Sequence, residues 1–215
     1  GYNKWRDFVL QFGFGNSLNI DLPNEKLGFI PSLEFYDKIY GKERWKFSNI
    51  YSLSIGQGEL LVTPLQMANL GVILANRGHY YTPHLVREVG TESLDFNQKK
   101  NIDIDKSHFE TVLDGMQALV SVPGSRAYIP DLIFCGKTST VENPQGLDHS
   151  GFMGFAPRED PKIAIAVYVE NAGWGARAAL STASLIIEKH VNGSVKKKWL
   201  ENYVLQGDFE DAKPE

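Results

Sequence analysis

A lysine and three hydroxyl side chains follow one another at Lys137, Thr138, Ser139 and Thr140, directly after an apolar run, Leu132-Ile133-Phe134-Cys135, and a glycine, Gly136. Such a set can do anion-binding and acid–base work. A lysine cation attracts a carboxylate and can hold a neighbouring hydroxyl in a proton relay. Side chains alternate along a strand, so Thr138 and Thr140 fall on one face. Taken alone, the segment reads equally well as an ordinary strand end facing water.

Other reactive patterns are weaker. Asp148, His149 and Ser150 hold the residue types of a nucleophilic relay. Neighbours in sequence cannot line up their side chains in that order, and a turn is the better reading. A Ser-x-x-Lys occurs at Ser194-Val195-Lys196-Lys197 and a Ser-x-Asn at Ser17-Leu18-Asn19; patterns this short arise often by chance. There is no G-x-S-x-G elbow, H-E-x-x-H, P-loop or paired-cysteine motif. The five histidines lie far apart, without metal-ligand spacing, and no cofactor or metal is implied. The single cysteine, Cys135, sits among apolar neighbours and reads as a buried, inert thiol.

The 215 residues are 42% apolar and 22% charged, an ordinary globular composition for one domain. A net charge of -4 offers no basic footprint for nucleic acid. The one basic run, Lys196 to Lys198, reads as a solvated helix end. The longest apolar stretch, Ile163 to Val169, is far short of the ~20 residues that cross a bilayer. No basic and then apolar leader opens the sequence.

The elements that must position the lysine–threonine segment follow from periodicity and caps. Trp5, Phe8, Val9 and Phe12 mark an apolar helix face, ended by Gly13 and Gly15. Residues Asn16 to Asn49 show no clear period and read as loops with short strands. Thr63 to Gly78 is a helix with Thr63 as cap, Pro64 at its first position and Gln66 completing a capping box. A second runs from Ser107 to Val120, with Ser107 and Glu110 as another box and Phe109, Val112, Leu113, Met116 and Val120 as its apolar face. Strands follow at Leu132–Val141, Gly151–Ala156 and Lys162–Glu170, separated by turns at 143–146 and 157–161. Short connections favour an antiparallel sheet. A last helix spans Gly175 to His190, with Ala179, Leu180, Ala183, Ile187 and His190 on one face, and the polar tail Gly207–Glu215 should fray. The fold class is α+β, an antiparallel sheet packed with helices.

In this setting the order of motifs is informative. Ser54-Ile55-Gly56-Gln57-Gly58 and Thr63-Pro64-Leu65-Gln66-Met67-Ala68 precede the lysine–threonine strand by about 70 residues. Asn143-Pro144-Gln145-Gly146, Asp148-His149-Ser150, Phe155-Ala156-Pro157 and Val169-Glu170-Asn171 follow it, and Gly13 to Pro23 opens the series. In this order they resemble the transpeptidase domain of penicillin-binding proteins, nearest to the penicillin-binding protein 2 type, over roughly residues 2 to 190. The resemblance implies a partial transpeptidase domain of serine β-lactamase-like fold at 1–190, and a partly disordered C-terminal extension at 191–215.

That family sets three motifs around one cleft: Ser-x-x-Lys with the nucleophile, Ser-x-Asn, and Lys-Thr-Gly on a sheet edge. The resemblance makes Lys137 and Thr140 catalytic and Thr138, Ser139 and Thr140 substrate-binding. Thr138 and Thr140 would grip the terminal carboxylate of D-Ala-D-Ala. The Thr140 N–H would supply half an oxyanion hole, worth ~3 kcal/mol in comparable sites. Ser139 stands where the family has glycine, which puts a side chain where substrate approaches the strand. The first two motifs precede, in the family, the segment that opens this chain, so the nucleophile is expected outside these residues and the piece alone should be inactive.

The implied partners are peptidoglycan stem peptides and β-lactams, with no nucleic acid. The parent would be anchored in the cytoplasmic membrane, with cell-wall elongation partners and this domain on the outer, periplasmic face; the piece itself would be soluble. Apolar faces left uncovered would favour a dimer of the piece or a shifted sheet. The rival readings are a non-catalytic stem-peptide or β-lactam binding or sensor module of the same fold, and an α+β interaction module.

Overall fold

The computed structural model describes residues 1–42 and 44–209, apart from the side chains of Phe47, Asn49 and Ser93. In chain order the helices are α1 (Tyr2–Gln11), α2 (Leu33–Tyr40), α3 (Phe47–Ile50, continuing as a 3-10 turn over Tyr51–Ile55) and α4 (Pro64–Ala75). Short strands β1 (His79–Tyr80), β2 (Glu88–Val89), β3 (Glu92–Ser93) and β4 (Lys100–Asn101) come next, then α5 (Ser107–Val120). The chain continues with β5 (Cys135–Val141), β6 (His149–Ala156), β7 (Ile163–Val169), α6 (Ala178–Asn192) and α7 (Lys198–Gln206). Two compact units result, one from Gly1–Leu70 with His79–Asp103 and one from Gly71–Gly78 with the chain from Ile104. The class is α+β, as the sequence implies.

In the first unit, the capping box at the start of α4 forms as expected. Thr63 N–H donates to Gln66 Oε1 at 3.0 Å and Gln66 N–H to Thr63 Oγ1 at 3.2 Å. The Gln66 amide is buried and does more than cap: its Nε2 donates to the carbonyls of Gly13, Asn16 and Leu27, tying the loop after α1 to the helix. The stretch read as loops with short strands instead contains α2. Ser32 caps it by accepting from Phe35 N–H at 3.2 Å. Tyr36 is fully buried, with Tyr2, Phe35 and Trp45 rings against it, and these aromatic contacts select a helix where periodicity was silent. Of the expected strands, only the isolated bridge Phe29–Leu61 appears among the described residues. Ser17 and Asn19 belong to a loop clasped by Glu25, whose carboxylate accepts from Ser17 Oγ and from the Leu18 and Asn19 N–H groups.

In the second unit, β5, β6 and β7 form an antiparallel meander in that order, so β5 is an edge strand of its sheet. The register runs from Cys135 opposite Phe155 to Val141 opposite His149, and from Ser150 opposite Val169 to Ala156 opposite Ile163. One sheet face carries Phe152, Ala156 and Ile165 into a core with Phe134, Val120 and the α6 residues Ala179, Leu180, Ala183 and Ile187. Fully burying a side chain such as Phe134 or Phe152 stabilises by about 1.5–3 kcal/mol. The α5 face matches expectation at Phe109, Leu113, Met116 and Val120, whereas Val112 is half exposed.

The second capping box does not form. Ser107 hydrogen-bonds back to Asp105, and Glu110 instead pairs with Arg77 at 2.9 Å and Arg158 at 3.0 Å, which outcompete the backbone for its carboxylate. Those two guanidinium groups hold the Glu110 carboxyl below its ordinary range. Arg158 also bonds Asp114 and Gln117, fastening the β6–β7 turn to α5.

His190 is exposed, not part of the buried α6 face. Beyond α6, α7 was not anticipated; its Leu200 is fully buried. The Lys196–Lys198 run is not uniformly solvated either. Lys197 Nζ donates to Arg126 O at 2.8 Å and to Ser184 Oγ, and burial draws its pKa down to about 8. The expected fraying of Gly207–Glu215 falls largely on residues 210–215, which lie outside the described residues.

Candidate active site

Lys137, Thr138, Ser139 and Thr140 occupy the middle of β5, an edge strand. Alternation puts Lys137 and Ser139 on one face, opposite Met153 and Gly151. Thr138 and Thr140 lie on the other, opposite Phe152 and Ser150. Lys137, Ser139 and Thr140 are exposed and Thr138 is half-buried. The strand changes character along its length: Cys135 and Gly136 are buried against α5 and the core, and the polar residues begin where that cover ends. Sequence predicts this transition, because the apolar run stops at Cys135.

Lys137 Nζ donates to the Thr138 carbonyl at 2.6 Å, which brings the cation alongside the strand's own backbone. Thr140 Oγ1 accepts the Gly175 N–H at 3.2 Å. A threonine hydroxyl has one hydrogen to donate and two acceptor positions. Occupying an acceptor leaves that hydrogen available to an anion. Two glycines bracket Ser139: a Cβ on Gly151 would fall 2.1 Å from Ser139 Oγ, and one on Gly175 would fall 2.2 Å from the Ser139 carbonyl oxygen. The serine therefore fits because its neighbours lack side chains.

Gly175 belongs to the segment between β7 and α6, and Asp148, His149 and Ser150 hold that segment. The Asp148 carbonyl accepts Gly173 N–H at 2.8 Å, and His149 Nδ1 accepts Asn171 N–H at 3.0 Å. Ser150 Oγ, fully buried, donates to the Trp174 carbonyl at 3.0 Å and accepts Ala179 N–H at 3.0 Å in the first turn of α6. His149 and Ser150 are thus strand residues of β6, not a turn, and they make no relay. The sequence alone does not reveal these partners, although the glycines at 173 and 175 are a visible sign of close packing.

The other sequence candidates resolve structurally. Lys197 bonds Ser184, not Ser194. Cys135 is buried, its Sγ directed at the Leu113 carbonyl, and burial lifts its pKa to about 11. Among the described residues no group of three or more His, Cys, Asp or Glu is arranged to hold a metal, and no helix is long and apolar enough to cross a membrane. A hollow on the surface, lined by Asp114, Gln117, Ala118, Ser121 and Arg158, includes no residue of β5.

Comparison with known proteins adds an independent line. The family model described as penicillin binding protein transpeptidase domain matches residues 1–190. The chain is 32% identical over 202 residues to peptidoglycan D,D-transpeptidase MrdA of Acinetobacter baumannii, covering 83% of this chain and 30% of the relative. It is 29% identical over 216 residues to MrdA of Haemophilus influenzae, covering 89% and 33%. The chain thus spans about a third of the length of these curated relatives. Pseudomonas aeruginosa PBP2, solved in complex with WCK 5153, superposes with a TM-score of 0.77 at 28% identity, covering 93% of this chain and 45% of that one. PBP2 of Helicobacter pylori, solved in complex with MreC, shares the fold at a TM-score of 0.69 and 23% identity, covering 97% of this chain and 36% of that one. With the motif order, the α+β architecture and the family match all in agreement, this chain belongs to the penicillin-binding protein transpeptidase family, of the PBP2 type.

Proposed function

We propose that this chain contributes the lysine–threonine strand and its supporting wall to a serine D,D-transpeptidase that cross-links D-Ala-D-Ala stem peptides of peptidoglycan. The observation that carries the reading is an exposed Lys137 and Thr140 on the edge strand of the sheet, in a chain of this family. An edge strand offers unpaired backbone groups to an extended peptide, and hydroxyls beside a cation suit its terminal carboxylate.

The reaction begins with a serine outside these 215 residues. Its oxygen attacks the carbonyl of the penultimate D-Ala and its proton passes to the departing amine. The peptide C–N bond breaks and the terminal D-Ala leaves. An acceptor amine then attacks the ester, forms the new amide and returns the serine. In this scheme Lys137 holds the ligand field positive and steadies the proton relay. Thr138 and Thr140 take the carboxylate, and the Thr140 N–H helps hold the oxyanion, worth roughly 3 kcal/mol. Ser139 contributes at the substrate-facing strand without closing it, because its hydroxyl sits over Gly151. β-Lactams would acylate the same serine. The parent would be membrane-anchored, with this domain on the periplasmic face. The MreC complex of the H. pylori relative supports elongation partners for it.

Within these residues there is no Ser-x-x-Lys followed by Ser-x-Asn ahead of Lys137, so the chain alone should form no acyl-enzyme. Intact-mass measurement after benzylpenicillin tests both halves. The expected result is no adduct on this chain, one adduct on a longer protein that includes a serine motif, and about 100-fold slower acylation in its Lys137→Ala variant. An adduct on this chain alone overturns the account of the nucleophile. A longer protein that binds penicillin reversibly without an adduct establishes the non-catalytic binding module instead.

A further inference from the structure

Three successive residues of the chain, Asp148, His149 and Ser150, each hydrogen-bond into one segment, residues 171–179. That segment also supplies the N–H that occupies Thr140 Oγ1. We propose that Asp148, His149 and Ser150 form a positioning run: they seat the β7–α6 segment so that Gly175 holds Thr140 with its hydroxyl hydrogen directed to the ligand carboxylate. The inference rests on the transpeptidase reading above.

The geometry leaves the Gly175 N–H little freedom. Ser150 grips Trp174, the residue immediately before it, through the Trp174 carbonyl, and grips the first turn of α6 through Ala179 N–H. Gly175 itself is pressed onto the backbone of β5 and β6, where a Cβ would meet the Ser139 oxygen at 2.2 Å and the Gly151 oxygen at 2.8 Å. Upstream, Asn171 adopts a left-handed backbone with φ of 53°, a conformation asparagine tolerates better than most residues. His149 Nδ1 takes its N–H, and Asn143 Nδ2 donates to its Oδ1 at 2.7 Å, so the β5–β6 turn is fastened to the same segment. Acting as acceptor requires Nδ1 to be unprotonated. Every one of these bonds ends, through at most a few residues, at the Thr140 hydroxyl.

A run that merely stabilised the fold would change activity only through the amount of folded protein. A positioning run acts through Thr140 and loses its effect when that hydroxyl is gone. The test uses the longer, serine-bearing protein and benzylpenicillin, with the affinity of the first, reversible complex measured apart from the limiting acylation rate. Ser150→Ala and His149→Phe are each compared with the same change in a Thr140→Val background. The expected result is about fivefold weaker affinity in each single variant, with the limiting rate changed by less than about twofold. In the Thr140→Val background neither change should weaken affinity further.

Affinity losses of equal size in both backgrounds, or unchanged affinity in the single variants, would overturn the proposal. Should Ser150→Ala fail to fold, His149→Phe decides alone, because it removes the Nδ1 acceptor of the Asn171 N–H at a partly exposed position and keeps an aromatic ring beside Tyr168. A wild-type protein that takes no penicillin sinks the transpeptidase reading and this inference with it. Acylation without coupling to Thr140 sinks this inference only.

Discussion

Ser139 and Gly151 stand opposite each other on the β5–β6 ladder, and the serine hydroxyl fills the space that a side chain at position 151 would need. The pair is a matched exchange of volume across two strands. A methyl group at 151 would lie 2.1 Å from Ser139 Oγ but 3.5 Å from its Cβ, so rotating the hydroxyl away relieves the clash. Gly151→Ala should therefore cost more stability with Ser139 present than in a Ser139→Gly background. A double-mutant cycle by urea unfolding should give a coupling of about 0.5–1 kcal/mol. Strict additivity would show that the two sites are independent.

Gly175 is a harder case. Its would-be Cβ meets backbone oxygens of Ser139 and Gly151, which no rotamer change can move. Gly175→Ala should destabilise the fold by about 1–3 kcal/mol, in the range of overpacked cores. Chemical denaturation measures it, and a loss under about 0.5 kcal/mol would mean that the segment is not held where it is described.

Lys197 makes stability depend on alkaline pH. Burial lowers its pKa from 10.5 to about 8, and the nearby Glu188 carboxylate opposes that shift without cancelling it. Between these values the unfolded chain holds the proton more firmly than the folded one. Stability should therefore rise as pH increases from about 8 toward 10.5, and Lys197 should contribute no slope below that window. Thermal unfolding across the window should show the rise, and Lys197→Met should flatten it. An unchanged slope in the variant would assign the effect to other groups.

Glu188 is fully buried, and neither carboxylate oxygen has a hydrogen-bond partner. It raises the Lys197 pKa through its charge. Glu188→Gln should accordingly move the alkaline titration of Lys197 to lower pH, readable by NMR of the lysine side chain. An unchanged titration would mean that the Glu188 side chain does not act on Lys197.

Cys135 should resist thiol reagents in the native protein. Its thiol is buried, and its pKa is raised to about 11, so little thiolate exists at pH 8. Mass spectrometry after brief iodoacetamide treatment should find it unmodified when folded and modified in denaturant. Rapid native labelling would contradict its burial.

What sequence made legible follows local rules. The meander was readable because turn formers at 143–146 and 157–161 separate apolar strands, and α4 because Thr63 and Gln66 satisfy each other's backbone. Where tertiary partners decide, reading failed. Ser107 and Glu110 have the right spacing for a box, but Glu110 finds two arginines from elsewhere in the chain. The α2 helix begins at a serine without a glutamate or glutamine three residues on, and aromatic packing around Tyr36 completes the signal. In the candidate site, Lys137 to Thr140 stand out by residue type and motif order. Gly175 and Ser150 do not, because their importance lies in contacts across about 25 to 35 residues. The α7 helix was hidden for a similar reason, since Lys197 looks like a surface charge until Ser184 and the Arg126 carbonyl meet it.

The edge position of β5 carries a liability as well as an opportunity. A strand with backbone groups unpaired by its own sheet will accept any extended chain, including another copy of itself, and so is a starting point for aggregation. Natural sheets blunt such edges with charged side chains, lysine above all. Lys137 lies at the third of the seven β5 positions, where it would discourage growth of a second sheet along this edge. Replacing it with a β-branched apolar residue would remove that guard and turn an open edge into a sticky one.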